Sequence, residues 1–476
     1  MKVLFAASEV YPLVKTGGLA DVAAALPAAL ARQGISMRVI MPAYRGVPAR
    51  LRDARAIATV EVRGQALTVL AGTHPDNGVP LLLLDAPALF DRAGGPYVDA
   101  DGHAFGDNAL RFATFCEAVA KIAGGAAGGE LAADLVHLND WHTGLVPVYL
   151  AQGAARPRSV MTIHNLAYQG IFDHPQYRAL GLPEDLWHPE GVEFYGDFSF
   201  LKAGLQLADA LTTVSPTYAR EIQTPEFGER LDGVLRARSA VLTGILNGID
   251  ENVWNPATDP LIAQRYDAAT VDAGKRANKA ALQRELGLVQ GDDPLLAFIG
   301  RLAHQKGADA LLAARSELDA LPLQLVVLAS GDRGLERGFA EWAASMPGRV
   351  AVSTAYDEGL AHRIEAGADM LIMPSRFEPC GLNQMYSQRY GTLPLVRRVG
   401  GLADTVDSFD QPDGTGILFE HSDAGGVAYA VRTALDCWRQ PEVWTRLQAN
   451  GMARDWSWTE SARRYAELYR ALLPVR

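Results

Sequence analysis

Two cations five residues apart are the side chains best suited to bind a phosphate group. Arg301 and Lys306 come after the apolar run Leu295–Ile299, which is typical of a buried β-strand. In open α/β sheets, ligands bind beyond the carboxyl ends of the strands. Fixed cations at such a place can hold a diphosphate and neutralise the charge that develops on a leaving phosphate. The alternative is a pair of solvated surface cations.

A carboxylate follows a second apolar run. The segment 374–384 reads PSRFEPCGLNQ and links a predicted strand at Met370–Met373 to a helix predicted to begin near Leu382. Because Glu378 precedes a proline, its backbone is extended and its carboxylate can point into a cleft. The amides of Gly381 and Leu382 would lie at the helix N-terminus. A carboxylate beside a phosphate site suits sugar hydroxyls, and the alternative is a charge at a helix end.

A glycine turn lies near the N-terminus. Lys15 and Gly17-Gly18 separate a predicted strand, Val3–Ala7, from a helix predicted over Leu19–Gln33. Glycines let the backbone approach a ligand, and the helix start offers N–H groups that favour an anion. Neither a Walker loop nor a G-x-G-x-x-G pattern is present. A simple strand–helix turn is therefore the alternative.

Two more predicted strands end in polar side chains. Asp140 follows the run Leu135–Leu138, and His164 with Asn165 follows Val160–Ile163. Because the carboxyl ends of adjacent parallel strands meet at one edge of a sheet, we expect these groups to line a cleft there. They could contact a sugar ring, although a lone histidine at a strand end is often structural.

Three features have the residue types of a metal site or a catalytic cysteine. The run His137–His142 is rich in nitrogen and oxygen ligands but has irregular spacing, and Asp99 with Asp101 lies in a loop rich in glycine. Nothing else in the sequence completes the first set, and the second mimics the DXD metal motif of other sugar transferases but lies in a loop full of glycine and proline, so we predict no metal site. Cys380 has no separate histidine placed to activate it, which favours a packing or redox-sensitive role.

The elements that must position these groups alternate along the chain. Short apolar runs alternate with longer helical patterns, which indicates βα units and parallel sheets. The remaining predicted strands are Met37–Met41, Leu67–Ala71, Leu81–Leu84, Leu211–Val214, Leu325–Ala329, Val350–Ser353 and Pro394–Val396. A polar segment, 255–291, separates two such series, so we expect the domain boundary near Ile249–Trp254.

An internal sequence repeat suggests that the two halves of the chain have similar folds. The residues GGLADV from Gly17 recur as GGLADTV from Gly400, and each copy is predicted to follow a strand and open a helix. A glycine turn in each half suggests two Rossmann-like domains that face each other across a cleft. The alternative is coincidence in a chain rich in glycine and alanine.

Composition excludes several classes of protein. With 476 residues, 49% hydrophobic and 21% charged, the chain is of ordinary globular composition and long enough for two large domains. Its net charge of −11 argues against binding a nucleic-acid backbone or an anionic membrane. No apolar run reaches the roughly 18 residues of a membrane span, and the N-terminus is typical of a strand, not a signal peptide. Three scattered cysteines favour the cytoplasm.

Taken together, the motifs resemble those of bacterial glycogen synthases of the starch synthase type, glycosyltransferase family 5. The resemblance is carried by KTGGLADV (15–22), NDWHTGL (139–145), TIHNLAYQG (162–170), LKAG (201–204), TVSPTYA (213–219), LNGID (246–250), GRLAHQKG (300–307), SRFEPCGLNQ (375–384), RVGGLADTV (398–406) and DWSW (455–458). It implies the α/β GT-B fold. The implied domains are 1–250 on the glucan acceptor side, joined by a crossing helix at 457–476, and 251–456 for the nucleotide-sugar donor.

The resemblance also implies a reaction. Glucose would pass from ADP-glucose to the non-reducing 4-hydroxyl of an α-1,4-glucan with retained configuration, without a metal or other cofactor. The implied partners are these substrates alone, with neither nucleic acid nor membrane. The implied catalytic residues are Arg301, Lys306, Glu378, His164 and Asp140. The implied substrate-binding residues are Lys15, Gly17, Gly18, Asp21, Asn165, Asn247, Tyr356, Cys380, Gly381, Leu382 and Asn383.

Within that set, the resemblance gives individual roles. Arg301 and Lys306 would bind the distal phosphate, Glu378 would contact the 3- and 4-hydroxyls of glucose, and Tyr356 would stack on adenine. Asn139 stands where many relatives carry His, and Asn383 stands where many carry Thr, so we expect details of sugar and nucleotide contact to differ from those of the family.

Retention usually requires two carboxylates and a covalent intermediate. The sequence offers no convincing nucleophile, so we expect front-face departure, in which the leaving phosphate takes the acceptor proton. Other readings are a UDP-sugar transferase, a phosphorylase with pyridoxal phosphate, a sugar-nucleotide epimerase or a binding module without activity.

Overall fold

The computed structural model describes residues 1–355 and 357–473, which form two compact units. The first unit is Met1–Asn247 with the C-terminal segment that begins at Trp458, and the second is Gly248–Ser457. Each unit contains a large sheet flanked by helices, so the predicted α/β class is confirmed.

The first unit contains a large sheet and a small one. The strands of the large sheet are β1 (Lys2–Ala6), β2 (Ser36–Pro42), β3 (Arg52–Val62), β4 (Gln65–Thr73), β5 (Pro80–Asp85), β6 (Leu135–Asn139), β7 (Arg158–Ile163), β11 (Ala210–Thr213) and β12 (Leu242–Gly244). The small sheet holds β8 (Ile171–Phe172), β9 (Glu193–Phe194) and β10 (Asp197–Ser199). The large sheet has the order β12-β11-β7-β6-β1-β2-β5-β4-β3 and is parallel from β12 to β5.

Helices cover this sheet. They are α1 (Gly18–Arg32), α2 (Pro87–Phe90), α3 (Asn108–Ala123), α4 (Val146–Gln152), α5 (His174–Ala179), α6 (Phe200–Leu207), α7 (Pro216–Glu221), α8 (Asp232–Ala237) and the C-terminal α18 (Trp458–Leu472). Helix α18 packs against α1, and the hydroxyl of Tyr469 lies 2.5 Å from Nδ1 of His137 on β6. Nearly every residue of β1, β6 and β7 is buried between the helix layers, as expected of parallel strands covered on both faces.

One edge of this sheet departs from the prediction of parallel strands. Strand β4 runs antiparallel to both β3 and β5, and β3 was not expected from the sequence at all. Residues Arg63 and Gly64 join β3 to β4 with positive φ angles of 51° and 71°. A two-residue connection of this kind forces an antiparallel hairpin. Strand β3 is largely exposed, and its charged residues Arg52, Asp53, Arg55 and Glu61 interrupt the apolar pattern by which the buried strands were predicted.

The second unit contains a parallel sheet with the order β15-β14-β13-β16-β17-β18. Its strands are β13 (Leu295–Leu302), β14 (Gln324–Gly331), β15 (Val350–Ser353), β16 (Met370–Met373), β17 (Leu393–Arg397) and β18 (Ile417–Phe419). Its helices are α9 (Val271–Leu286), α10 (Ala308–Ala313), α11 (Arg315–Asp319), α12 (Arg333–Ser345), α13 (Glu358–Gly367), α14 (Asn383–Arg389), α15 (Gly400–Thr405), α16 (Ala424–Trp438) and α17 (Pro441–Met452). Because β13 and β16 are neighbours, the segments that follow them meet at one edge of the sheet.

Candidate active site

In the first unit, three neighbouring strands bring polar groups to the same edge of the sheet. Strand β1 leads to Glu9, β6 leads to Asp140, and β7 leads to His164 and Asn165. The order β7-β6-β1 places these segments side by side, as the sequence predicts for the carboxyl ends of parallel strands.

Asp140 is the most constrained of these residues. It is 7% exposed and has φ +56°, a left-handed conformation that is unusual for a residue with a side chain. Its Oδ1 accepts a hydrogen bond of 2.8 Å from the amide of His164. Burial raises the pKa of Asp140 to about 7, and the charge of nearby Glu9 adds to the rise. Backbone strain at a buried carboxylate is typical of functional sites.

His164 is held as a neutral ring beside Asp140. Asn139 donates its side-chain NH₂ to the carbonyl of Ala6 at 2.9 Å, and its Oδ1 lies 2.9 Å from Nε2 of His164. Since an amide oxygen only accepts, Nε2 of His164 carries the proton and Nδ1 is the acceptor nitrogen. Burial lowers the pKa of His164 to about 3. Asn139 therefore orients the ring, a role that sequence reasoning missed.

The glycine turn lies at the start of α1. Lys15 forms a 2.9 Å ion pair with Asp21, and its ammonium group lies 5.2 Å from the centre of the Tyr11 ring. A Cβ atom added to Gly17 or Gly18 would meet no atom within 4 Å. The backbone of the turn therefore borders open space, where a ligand can approach it.

Asn247 ends the first unit. Its side chain is 7% exposed, and its Oδ1 has no hydrogen-bond partner among the residues that the structure describes. A buried polar atom without a partner is costly in a folded protein, so it marks a position where a ligand or water would be accommodated.

In the second unit, the predicted cation and carboxylate are in direct contact. Nζ of Lys306 lies 2.6 Å from Oε2 of Glu378, and the hydroxyl of Ser375 donates to the same oxygen at 3.0 Å. Glu378 is 4% exposed, whereas the Lys306 side chain is 22% exposed. Arg301 is exposed and lies within β13, not after it. The strand continues to Leu302, three residues beyond the end that the sequence predicts.

A close approach of two loops makes this contact possible. Residues 304–306 form a single 3₁₀ turn that ends at Gly307, whose φ is +66°. A Cβ atom on Gly307 would lie 2.1 Å from the carbonyl oxygen of Pro374. Only glycine therefore lets the turn that carries Lys306 approach the segment that carries Glu378.

The loop from Cys380 to Asn383 continues from Glu378 into α14. Cys380 is buried, Gly381 has φ +73°, and Leu382 is the residue that precedes the helix. The side-chain NH₂ of Asn383 donates to the carbonyl of Ile299 at 3.0 Å. Asn383 thus ties the start of α14 to β13 through its side chain. Tyr356 lies outside the described residues.

The histidines flagged as metal ligands by composition have other partners. In His137, Nδ1 lies 2.5 Å from the Tyr469 hydroxyl and Nε2 lies 2.6 Å from Oγ1 of Thr162. The ring of His142 stacks on Tyr97 at 4.5 Å. Both rings therefore serve the buried framework of the first unit.

The pair Asp99 and Asp101 does come together with a third group. The ligand atoms of these residues and of His103 all lie within 4.8 Å of one another. The cluster is on the surface, and Oδ1 of Asp99 accepts hydrogen bonds of 2.9 Å from the amides of both other residues. These contacts are those of a side chain that stabilises its own turn.

Comparisons with known proteins agree with this architecture. Residues 2–237 match the starch synthase catalytic domain family, and residues 281–451 match glycosyl transferases group 1. The catalytic domain of starch synthase IV from Arabidopsis thaliana, solved with ADP and acarbose, has a TM-score of 0.88 at 32% identity, with 99% of this chain and 98% of that chain covered. Sucrose-phosphate synthase from Thermosynechococcus elongatus, at 21% identity and a TM-score of 0.63, shares the fold. The two sheets and these matches define a glycosyltransferase of the GT-B fold.

Relatives with higher sequence identity show which family of glycosyltransferases the chain belongs to. Glycogen synthase 1 of Methylococcus capsulatus is 50% identical, with 99% of this chain and 97% of the relative covered. The glycogen synthase of Dechloromonas aromatica is 49% identical, with 100% and 99% covered. The chain belongs to the bacterial glycogen synthase family. No helix among the described residues has the length and apolar character needed to span a membrane.

Proposed function

We propose that this protein elongates an α-1,4-glucan by transferring glucose from ADP-glucose to the non-reducing 4-hydroxyl, with retention of configuration and release of ADP. The observation that carries the proposal is the 2.6 Å contact between Lys306 and Glu378. It puts a cation suited to a diphosphate beside a buried carboxylate suited to sugar hydroxyls. The starch synthase that this chain resembles was solved with ADP, which supports ADP as the nucleotide of the donor.

In this proposal the second unit holds the donor. An ammonium group has three N–H donors, and Glu378 accepts one of those of Lys306. The other two are available for the distal phosphate, together with the guanidinium of exposed Arg301. Glu378 would accept from the 3- and 4-hydroxyls of glucose, and the loop from Cys380 to Asn383 would border the diphosphate.

We propose that the first unit also contributes residues to substrate binding. Lys15 and Asp21, with the turn at Gly17-Gly18, would act at the donor phosphates and sugar. Asp140, His164 and Asn165 would line the glucose site. The partnerless Oδ1 of Asn247 would accept a hydrogen bond from the donor.

We favour front-face departure for the chemical step. Asp140 accepts from the backbone amide of His164, and Glu378 forms an ion pair, so the two buried carboxylates of the proposed substrate site have structural partners. In front-face departure the C1–oxygen bond to ADP breaks, the acceptor 4-hydroxyl attacks the same face, and the departing phosphate takes its proton. The residues then act by orientation and charge stabilisation, for which Arg301 and Lys306 supply the positive charge.

Because two side chains would supply this positive charge, we propose that transfer requires no metal ion or other cofactor. We also propose a cytoplasmic location, in keeping with three scattered cysteines.

The decisive assay compares glucose incorporation into glycogen from ADP-glucose and UDP-glucose, each with and without EDTA. We expect incorporation from ADP-glucose that EDTA leaves unchanged, with α-configured product by NMR. A preference for UDP-glucose, or loss of activity with EDTA, would contradict the donor or the metal-free proposal respectively. A glucosyl-enzyme detected by mass spectrometry would overturn front-face departure. A pyridoxal absorbance in the pure protein would indicate a phosphorylase.

A further inference from the structure

A buried carboxylate lies directly behind the glycine turn. Glu9 follows β1 and is 3% exposed. Its Oε2 accepts hydrogen bonds from the amides of Thr16 at 2.5 Å and Gly17 at 3.3 Å. Its Oε1 accepts from the hydroxyls of Thr16 and Tyr97, both at 2.5 Å. Four donors therefore converge on one side chain.

The direction of these hydrogen bonds defines what Glu9 does. Burial, with the charge of Glu9, holds the pKa of Tyr97 well above its usual value, so Tyr97 is a neutral hydroxyl that donates to Glu9. Ser8, whose Oγ lies 2.7 Å from the Tyr97 hydroxyl, then donates to Tyr97. Every partner of Glu9 donates, which suits an ionised carboxylate. A buried carboxylate is tolerated only when it is satisfied in this way.

The segment that these hydrogen bonds hold is the one proposed to bind the donor. Thr16 and Gly17 lie between Lys15 and Gly18, and Lys15 to Gly18 are exposed. The residue before α1, Gly17, has no side chain to cap the helix, and the amides of Thr16 and Gly17 instead donate to Glu9. Through Tyr97, which stacks on His142, the same carboxylate also contacts the segment that begins at Asp140.

We infer that Glu9 is a positioning residue that fixes the turn from Lys15 to Gly18 for binding of the nucleotide-sugar donor. This inference rests on the proposed function. Glu9 acts through the turn and not on the substrate, because its oxygens already accept from four donors and its side chain is buried. A fixed turn avoids the entropy cost of ordering Lys15 and the adjacent amides when the donor binds.

The test compares two substitutions with a matched control. Glu9→Ala removes all four acceptor contacts. Glu9→Gln keeps the shape, since its amide oxygen can face the two backbone amides while its NH₂ faces hydroxyls that are able to accept. Asp209→Asn is the control, because Asp209 likewise accepts from the amide and hydroxyl of Ser159, but at the opposite edge of the same sheet, before β11.

We expect Glu9→Ala to raise the KM for ADP-glucose about tenfold, with kcat changed less than about threefold, which is the signature of lost binding. Glu9→Gln and Asp209→Asn should stay within about threefold in both. Limited trypsin digestion gives a readout independent of activity. Cleavage after Lys15, which releases the peptide 1–15 on denaturation, should be faster in Glu9→Ala than in the wild type or Asp209→Asn.

An unchanged KM in Glu9→Ala, or equal impairment in Glu9→Gln, would overturn the inference. So would a rate of cleavage after Lys15 that does not change in Glu9→Ala. If the wild-type protein does not transfer glucose from ADP-glucose, the proposed function fails instead, and the trypsin result still reports on the turn.

Discussion

The two GGLAD segments have almost the same sequence and use glycine for opposite reasons. At Gly17 and Gly18, an added Cβ would meet no atom within 4 Å. At Gly401, an added Cβ would lie 2.1 Å from the carbonyl oxygen of Cys380, and the amide of Gly401 donates to the carbonyl of Glu378 at 2.9 Å. The glycines of the first turn leave open space beside the backbone, whereas Gly401 in the second turn allows two backbone segments to pack closely.

The charged groups near the first turn are partly exposed, whereas the carboxylate near the second turn is buried. Lys15 and Asp21 form an ion pair with side chains that are 34% and 27% exposed. Glu378, in the loop against Gly401, is buried and bonded to Lys306. An internal repeat in sequence thus identifies two helix starts but not their roles. The turn in the first unit borders open space and is held from behind by Glu9, whereas the turn in the second is part of a packed scaffold.

The largest expected effect is that of Gly401→Ala. The added methyl group collides with backbone atoms of Cys380, so the loop that carries Glu378 must move. We expect a destabilisation of about 3 kcal/mol, or roughly 6–12 °C in Tm, because neither backbone can give way easily. Differential scanning calorimetry measures this change, with Gly425→Ala as a control, because a Cβ added there would approach only a side-chain oxygen of Asp423, at 3.4 Å. An unchanged Tm would contradict the conclusion that Gly401 is required for close packing in the second turn.

Lys306→Ala should have the largest effect on turnover. It removes the cation proposed for the leaving phosphate and leaves buried Glu378 without its ionic partner. We expect kcat to fall roughly 10- to 150-fold, which corresponds to about 1.5–3 kcal/mol for a charged hydrogen bond. Steady-state kinetics at saturating ADP-glucose gives the value.

The control for this variant is Lys279→Met. Lys279 forms a 2.7 Å buried pair with Asp369, which precedes β16 at the other edge of the same sheet. Its loss should lower stability but leave the kcat of the folded enzyme close to wild type. Near-normal turnover in Lys306→Ala would eliminate the role in leaving-group stabilisation.

The parts of this structure that the sequence predicts are those with a local signal. Buried strands such as Leu325–Ala329 are apolar throughout, and polar groups such as Asp140 directly follow them. The hairpin formed by β3 was missed because its exposed, charged strand lacks that pattern. The contacts of Glu9 with Tyr97 and of Lys306 with Glu378 join residues 88 and 72 positions apart. Such pairs depend on strand order, which local patterns do not contain.

Lys15→Ala tests the more exposed of the two lysines that we propose to bind the donor, Lys15 and Lys306. We expect the KM for ADP-glucose to rise about tenfold while kcat changes little, since an exposed cation contributes mainly to binding of the diphosphate. The free energy of unfolding should fall by no more than about 1 kcal/mol, the usual upper limit for a partly exposed ion pair. Lys121→Ala, which removes an exposed pair with Glu117 on α3, is the control. A kcat loss as large as that of Lys306→Ala would erase the distinction between the two cations.

Gly17→Ala should have the smallest effect on stability. Gly17 has φ −156°, an extended conformation that alanine adopts freely, and its Cβ would project into open space. We expect a change in the free energy of unfolding below about 1 kcal/mol, the usual difference between glycine and alanine before a helix. The methyl group would still narrow the approach to the turn, so the KM for ADP-glucose should rise severalfold. If Gly17→Ala instead lowers the Tm as much as Gly401→Ala, then both glycine pairs serve packing, and the first turn is not the open site that its surroundings indicate.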